Sequence, residues 1–230
     1  MFLKNKAADI FLKCSLALAA MISVVISSRL ALKDIGDFQY NTAHKGSIGF
    51  RDFWNSTYYL FHGYNIFDPL IVQQFHLVSL YLPNSFLFFF PLVPLGPQWG
   101  KVCWLSVNLF LTVLLARQIS VLFWDKKHFL ILAALIACSA PWGILIYSGQ
   151  FSLWSLYFFL LALQWDKENR PILSGLAIAF CLLKYALTVP LLLYFLVYRR
   201  SWKGVVLGVG IQAALFGFFC LYMNLTPWEL

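Results

Sequence analysis

Charged side chains are scarce in this chain, and their scarcity excludes an ordinary soluble fold. Of 230 residues, 11% are charged and 61% are hydrophobic, and the mean hydropathy is +0.77. We therefore predict an all-α integral membrane protein, a bundle of about seven transmembrane helices with an outer loop that carries interfacial helices. The net charge of +8 suits loops at a membrane surface. Because no basic face is sustained, nucleic acid is not an expected partner.

Metal-binding residue types show no useful spacing. The five cysteines lie one to an apolar run, at Cys14, Cys103, Cys138, Cys181 and Cys220. The four histidines are also scattered, at His44, His62, His76 and His128. These spacings argue against a zinc motif or a disulfide framework. We expect no metal site and no cofactor.

One polar and aromatic stretch, residues 51–69, interrupts the apolar chain. It reads Arg-Asp-Phe-Trp-Asn-Ser-Thr-Tyr-Tyr-Leu-Phe-His-Gly-Tyr-Asn-Ile-Phe-Asp-Pro. The spacing of its aromatic residues predicts a short amphipathic helix on the membrane surface, ended by Gly63 and the Asp-Pro turn. Tyr58 and His62 share one face of this helix and are candidate substrate-binding residues.

The chain divides into an anchor, an outer loop and a bundle, all within one transmembrane module, residues 1–230. Residues 10–32 are long enough to span, and we expect a retained anchor rather than a cleaved signal peptide. The outer loop takes residues 33–97, with juxtamembrane and re-entrant segments, and the helical bundle takes 98–230. Prolines in 70–97 favour a re-entrant segment, with a crossing as the alternative. Apolar runs of the bundle lie at about 99–124, 128–147, 150–165, 171–185, 186–199 and 203–223.

The basic residues predict the orientation of the chain. If residues 70–97 return to their own side, the basic clusters near 126, 167 and 200 all lie on the side of the basic N-terminus. The positive-inside rule makes that side cytoplasmic, whereas a crossing at 70–97 breaks the rule twice. This topology puts Asp52, the turn at Gly149-Gln150 and the helix break near Lys184 together on the outer face.

These polar residues are candidates for chemistry, and each has a structural alternative. Lys184 could hold a lipid phosphate or could snorkel to the interface. Gln150 could bind a sugar or cap a tight turn. Asp52 could act as a general base or as the N-cap of the helix that follows it. Asp37 is the alternative base, and Asp68 competes weakly because Asp-Pro is a standard turn.

Several short motifs follow one another along the chain. They are Asp52-Phe53-Trp54, Gly63-Tyr64-Asn65-Ile66-Phe67-Asp68-Pro69, Leu82-Pro83-Asn84, Gly149-Gln150-Phe151-Ser152, Lys184-Tyr185 and Arg199-Arg200-Ser201-Trp202. Their order resembles the polytopic glycosyltransferases of the C superfamily, and within it glycosyltransferase family 87, the polyprenyl-phosphate-mannose-dependent mannosyltransferase-like group. Asn84 and Tyr185 depart from prolines of the family pattern. The spacing from Asp52 to Gly63 is about one helical turn shorter than usual, so Asp37 remains a substitute.

The resemblance implies a metal-independent, inverting hexosyl or mannosyl transfer from a polyprenyl-phosphate sugar to an envelope glycan or lipid acceptor. Asp52 would deprotonate the acceptor hydroxyl, Lys184 would neutralise the leaving phosphate, and Gln150 would line the pocket. The chain would be the N-terminal module of such an enzyme, whole or truncated, multi-pass in the plasma (inner) membrane among membrane lipid, with its N-terminus cytoplasmic and its active face outside. The alternative is a non-catalytic membrane module that binds lipid-linked sugar or a partner protein.

Overall fold

The computed structural model describes residues 2–33, 48–75, 83–124, 128–199 and 202–226, and these ranges contain no strand. Their α-helices are α1 (Phe2–Lys33), α2 (Ile48–Phe61), α3 (Pro69–Phe75), α4 (Gly96–Phe123), α5 (Phe129–Ala137), α6 (Ala140–Ser148), α7 (Ser152–Lys167), α8 (Pro171–Cys181), α9 (Tyr185–Tyr194) and α10 (Trp202–Met223). A 3-10 segment (Pro83–Leu95) precedes α4, a 3-10 turn (Leu182–Lys184) joins α8 to α9, and a π-helical turn (Phe195–Arg199) follows α9. The all-α prediction is confirmed for these ranges.

Four described stretches are long and apolar enough to cross a membrane. They are Ile10–Leu32, Asn84–Phe123, Pro171–Val197 and Trp202–Met223. Helices α5 and α6, which meet at 70°, add a fifth if together they form one span. The protein is therefore a helical membrane protein with four or five candidate spans in its described part. The count of about seven stays a prediction.

The bend between α5 and α6 follows from the local sequence. Ser139 caps α6, since its Oγ accepts a hydrogen bond from the backbone N–H of Trp142 at 3.4 Å. Pro141, in the first turn of α6, has no N–H with which to continue α5, so the helix restarts in a new direction. Gly149 ends α6 with φ of 68°. The two short helices therefore deliver the chain to the turn at residues 149–151.

The segment before α4 is a 3-10 helix because prolines interrupt it. Pro91 and Pro94 lie inside it and remove two backbone donors that a regular α-helix would use. It packs against α2, where the Oγ1 of Thr57 lies 2.7 Å from the carbonyl oxygen of Phe53 and 3.4 Å from that of Phe86. Whether residues 70–97 cross the membrane stays a prediction, since 76–82 lie outside the described residues.

Helices α8 and α10 approach closely at two glycines. A Cβ on Gly208 would lie 2.6 Å from the Cγ2 of Ile178, and one on Gly175 would lie 2.8 Å from the Cδ2 of Leu207. Small residues let helix backbones come this near in a membrane. The contact holds the end of α8, and with it the turn that carries Lys184, against α10.

Candidate active site

Lys184 ends the 3-10 turn after α8, and two neutral side chains hold its ammonium group. The Nζ donates a hydrogen bond to the Oε1 of Gln150 at 2.9 Å and another to the Oγ of Ser152. No carboxylate among the described residues pairs with it. Two of the three ammonium donors are thus used on neutral oxygens. The positive charge stays uncompensated and half-buried beside the turn at 149–151.

This turn also lies against the start of α2. A Cβ on Gly149 would come within 2.7 Å of the Cβ of Phe50, so the two segments are in direct backbone contact. The indole Nε1 of Trp104, in α4, donates a hydrogen bond to the carbonyl oxygen of Gly149 at 2.9 Å. Gly149, directly before Gln150, is therefore contacted by both α2 and α4.

An aromatic cluster joins the turn to α2 and to the 3-10 segment. Phe53 stacks on Phe89 with ring centroids 5.2 Å apart, and it meets Phe151 edge-on at 4.7 Å. Leu183, directly before Lys184, is fully buried in the same cluster. Aromatic pairs of this kind contribute about 0.5–1.5 kcal/mol each beyond burial. The cluster thus holds together the three segments that carry Asp52, Gln150 and Lys184.

Polar anchors fasten the 3-10 segment to the same region. The Oγ of Ser85 donates a hydrogen bond to the carbonyl oxygen of Leu183 at 3.1 Å. The Nδ2 of Asn84 donates to the Oε1 of Gln212 in α10, and the Nε2 of Gln212 donates to the carbonyl oxygen of Ala179 at 2.5 Å. Asn84 therefore has a structural role, because it ties the 3-10 segment to α10 and, through Gln212, to α8.

Asp52 lies inside α2, which begins earlier, at Ile48. The interpretation of Asp52 as an N-cap is therefore wrong. Its side chain is 19% exposed, and its Oδ1 lies 3.8 Å from the Nε of Arg51. Burial raises the pKa of the Asp52 carboxyl from 3.8 to about 6, although the charge of Arg51 opposes the rise. At neutral pH the group is a carboxylate with raised proton affinity, which suits a general base.

Tyr58 and His62 continue a line of rings along α2. Trp54 stacks on Tyr58 with ring centroids 5.2 Å apart, and Tyr58 contacts His62 at 4.3 Å. The Nδ1 of His62 lies 2.8 Å from the carbonyl oxygen of Tyr58, so this nitrogen carries the proton in the hydrogen-bonded tautomer. Trp54 is buried and His62 is exposed. The stripe therefore runs from the aromatic core to the surface and offers faces on which a sugar ring could stack.

The structure brings some of the predicted residues together and keeps others apart. Gln150 and Lys184 are hydrogen-bonded, whereas Asp52 pairs with Arg51 and, in the described structure, forms no ion pair with Lys184. Asp68 is structural, since its Oδ1 accepts a hydrogen bond from the N–H of Leu70 at 2.8 Å, at the start of α3. Asp37 lies outside the described residues. Within the described ranges, no group of three or more His, Cys, Asp or Glu side chains could hold a metal ion.

Sequence reasoning assigned no role to two further polar residues of this region. The Oγ of Ser152, like the Oε1 of Gln150, accepts a hydrogen bond from the ammonium group of Lys184. Lys101, near the start of α4, is only 3% exposed, and the neighbouring Gly100 lies against the indole of Trp54. A charged residue at the edge of the apolar run 99–124 was the available signal for Lys101, because a lysine so deeply buried is costly. Ser152 was noted only as the last residue of the Gly149-Gln150-Phe151-Ser152 motif, which does not indicate a contact with Lys184.

Comparison with known proteins supplies the family. A sequence model of glycosyltransferase family 87 matches residues 80–229. The chain belongs to glycosyltransferase family 87. The curated proteins and the solved structures contain no match to it. Within this family 87 chain, the matched range includes Gln150, Ser152 and Lys184, whereas Asp52 lies before it.

Proposed function

We propose that this family 87 protein transfers a hexose, mannose in the first instance, from a polyprenyl-phosphate donor to an envelope glycan or lipid acceptor, with inversion at the anomeric carbon. The observation that supports this is the ammonium of Lys184, which Gln150 and Ser152 hold without neutralising it. Negative charge grows on the phosphate as it leaves the sugar. A cation already positioned in a water-poor site stabilises that charge with little reorganisation.

Asp52 is the proposed base, with Asp37 as the alternative. Its carboxylate accepts the proton of the acceptor hydroxyl while the hydroxyl oxygen forms a bond to the anomeric carbon. The bond between that carbon and the phosphate oxygen breaks, and polyprenyl phosphate leaves with the electron pair. The raised pKa of Asp52 supports this role, since a base is most effective when its pKa lies near the working pH. Tyr58 and His62 are proposed to bind the sugar or the acceptor.

The proposed setting is the plasma (inner) membrane, with the N-terminus cytoplasmic and the active face outside. Residues 1–230 form one transmembrane module of about seven spans in this proposal. Its outer loop is residues 33–97, and membrane lipid surrounds the bundle 98–230. The distribution of basic residues supports this orientation.

A second candidate is a non-catalytic module that binds lipid-linked sugar or presents it to a partner protein. The observation that favours it is the extent of the family match, which begins at residue 80, after Asp52. Gln150, Ser152 and Lys184, the residues proposed to hold the phosphate, lie within the match. Binding of the donor without transfer would distinguish this candidate from the enzyme.

The test uses the full chain in lipid nanodiscs with radiolabelled polyprenyl-phosphate-mannose, and measures both donor binding and transfer to membrane lipid or glycan. Asp52→Asn and Asp37→Asn are compared with Asp68→Asn, in which Asn keeps the oxygen that accepts from Leu70. Loss of transfer in Asp52→Asn alone supports Asp52 as the base. Loss of transfer in Asp37→Asn alone identifies Asp37 as the base instead. If the native chain binds the donor and transfers nothing, the non-catalytic candidate replaces the enzyme.

A second comparison tests the phosphate site itself. Lys184→Gln removes the charge at the proposed site, and Lys203→Gln removes one exposed charge at the start of α10 as a matched control. We expect donor binding to fall only in Lys184→Gln. Equal losses in the two variants would show that general surface charge, and not the site around Lys184, attracts the donor.

A further inference from the structure

The candidate span Pro171–Val197 is broken at the turn that carries Lys184. Lys184 has φ of −117° and ψ of 75°, which lie outside the helical range. In an uninterrupted helix the N–H of Tyr185 would donate to the carbonyl oxygen of Cys181. Because a residue with these angles interrupts the helical hydrogen bonds and lipid supplies no donor, the Cys181 carbonyl needs a donor from a side chain.

Thr188, in the first turn of α9, supplies that donor. Its Oγ1 lies 2.5 Å from the carbonyl oxygen of Cys181 and 3.0 Å from that of Lys184. A hydroxyl has one proton, and the shorter distance assigns that proton to Cys181. Thr188 is only 1% exposed, so solvent does not compete for this hydrogen bond. The side chain thus connects the start of α9 to the end of α8 across the break.

Cys181 extends this connection to α7. Its Sγ lies 3.3 Å from the Oγ1 of Thr188 and donates a hydrogen bond to the carbonyl oxygen of Ser155 at 3.1 Å. Ser155 lies three residues after Ser152 in α7, and Ser152 accepts a hydrogen bond from the ammonium group of Lys184. The turn is therefore tied to α7 twice, once through the side chain of Lys184 and once through Thr188 and Cys181.

We propose that Thr188 is a positioning residue that, together with Cys181, holds the break between α8 and α9 in the shape that presents the Lys184 ammonium group to Gln150 and Ser152. Without the hydroxyl, the Cys181 carbonyl is left buried and lacking this donor, which is costly, so the turn relaxes. The ammonium group moves with the turn, and its two hydrogen bonds weaken. The consequence for donor binding rests on the proposed function, whereas the consequence for Lys184 does not.

The first test measures the environment of Lys184 without any donor. Acetic anhydride acetylates the amines of the full chain in lipid nanodiscs, and peptide mass spectrometry gives the rate at Lys184 relative to that at the exposed Lys203. We expect this rate to rise by at least about 3-fold in Thr188→Val, which keeps the shape of the side chain and removes its hydroxyl. Thr188→Ser keeps the hydroxyl and should keep the native rate. An unchanged rate in folded Thr188→Val would overturn the proposal, as would an equal rise in Thr188→Ser.

A second buried threonine provides the matched control. The Oγ1 of Thr112 lies 2.9 Å from the carbonyl oxygen of Asn108 and accepts a hydrogen bond from the Nε1 of Trp142 at 2.8 Å. Thr112→Val therefore also removes a buried hydroxyl, and it should leave the acetylation rate at Lys184 unchanged. A rise as large as in Thr188→Val would overturn the proposal, because a general loss of stability would then explain both results.

Cys181→Ala decides the question if Thr188→Val does not fold. It removes only a thiol, which is a weak hydrogen-bond donor, so the variant is the milder of the two. The acetylation rate at Lys184 should still rise, because the connection from the turn to Ser155 is lost. An unchanged rate at Lys184 in Cys181→Ala would then overturn the proposal.

Donor titration separates this proposal from the proposed function. Thr188→Val should reduce the affinity for polyprenyl-phosphate-mannose by about 3- to 10-fold, because the charge of Lys184 is displaced but not removed. Thr188→Ser and Thr112→Val should keep the native affinity. A native chain that binds no donor would contradict the proposed function, and the acetylation rates at Lys184 would still decide the role of Thr188.

Discussion

Gly149 and Phe50 touch through their backbones, at the point where the turn after α6 meets the start of α2. A Cβ on Gly149 would lie 2.7 Å from the Cβ of Phe50 and 3.3 Å from its Cα and N. Such a distance leaves no room for a side chain at position 149. The contact joins the two segments that carry the proposed site residues Gln150 and Asp52, each shortly after the contact in its own segment.

Gly149→Ala should therefore be strongly destabilising. The φ of 68° and the overlap with Phe50 act together, and we expect the free energy of unfolding to fall by about 2–4 kcal/mol. Gly63→Ala is the matched control, because Gly63 has φ of 82° but nothing within 4 Å of an added Cβ. It should lose only about 1–2 kcal/mol. Thermal unfolding in detergent measures both, and equal losses would show that steric overlap adds nothing.

The meeting of Gln150 and Lys184 was accessible from sequence, whereas their hydrogen bond was not. The charge bias of the loops predicted that both residues lie on one side of the membrane. The direct bond depends on how α7 and α8 pack, which no short-range pattern encodes. Ser152 was missed for the same reason, since only the packed structure brings its hydroxyl to the Nζ of Lys184.

Sequence reasoning was less reliable at helix boundaries. Asp52 was considered as an N-cap because polar residues open that stretch, yet α2 begins at Ile48, and Gly49 does not prevent it. The apolar run 128–147 also concealed the bend at Ser139, whose cap and following proline are local signals inside a uniformly hydrophobic stretch. Hydrophobicity indicates which stretches could cross a membrane, but it does not show where a helix starts again.

Removal of the Ser152 hydroxyl should weaken donor binding less than removal of the Lys184 charge. A hydrogen bond to a charged group contributes about 1.5–3 kcal/mol, so Lys184→Gln should reduce donor affinity by about 10- to 100-fold. Ser152→Ala leaves the charge of Lys184 in place and removes one of the two oxygens that accept hydrogen bonds from its ammonium group. We expect donor affinity to fall by about 5-fold. Ser106→Ala is the control, because the Ser106 hydroxyl is exposed and, within the described structure, donates its hydrogen bond to the carbonyl oxygen of Val102 in its own helix. Donor titration of the nanodisc-embedded variants measures these losses. An effect of Ser106→Ala on donor affinity as large as that of Ser152→Ala would contradict the role of Ser152 in positioning the Lys184 ammonium group.

The raised pKa of Asp52 predicts how activity depends on pH. If Asp52 is the base, transfer should decline as the pH falls through about 6, because the carboxyl then carries the proton that it must accept. Asp52→Asn should abolish transfer, and with it the decline near pH 6. A rate that stays constant from pH 7.5 to pH 5 in the native chain would argue against Asp52 as the base. Measurement of initial rates at saturating donor separates this effect from changes in binding.

The raised pKa of Asp52 also predicts how the stability of the folded protein depends on pH. The folded pKa of Asp52 lies above its ordinary 3.8, so folding favours the protonated form. That stabilisation is complete below about pH 3.8 and is lost as the pH rises through about 6. Asp52→Asn, which resembles the protonated acid, should therefore unfold at a higher temperature than the native chain at pH 7.5 and at nearly the same temperature at about pH 3, below the ordinary pKa of 3.8. An ion pair with Arg51 strong enough to outweigh burial would reverse the order at pH 7.5.

The close approach of α8 and α10 should be equally sensitive to a single methyl group. Gly208→Ala puts a Cβ 2.6 Å from the Cγ2 of Ile178 and 2.9 Å from the carbonyl oxygen of Gly175, so the helices must separate. We expect a loss of about 1–3 kcal/mol in the free energy of unfolding. Gly210→Ala, two residues further along the same helix and so on nearly the opposite face, meets nothing within 4 Å and should be neutral or stabilising by up to about 1 kcal/mol, because alanine favours the helix. Denaturant unfolding of both variants in the same detergent checks the pair. If α10 instead packs on α8 through other residues, the two substitutions will have the same effect.

Because α8 carries the turn of Lys184, Gly208→Ala should also weaken donor binding, whereas Gly210→Ala should not.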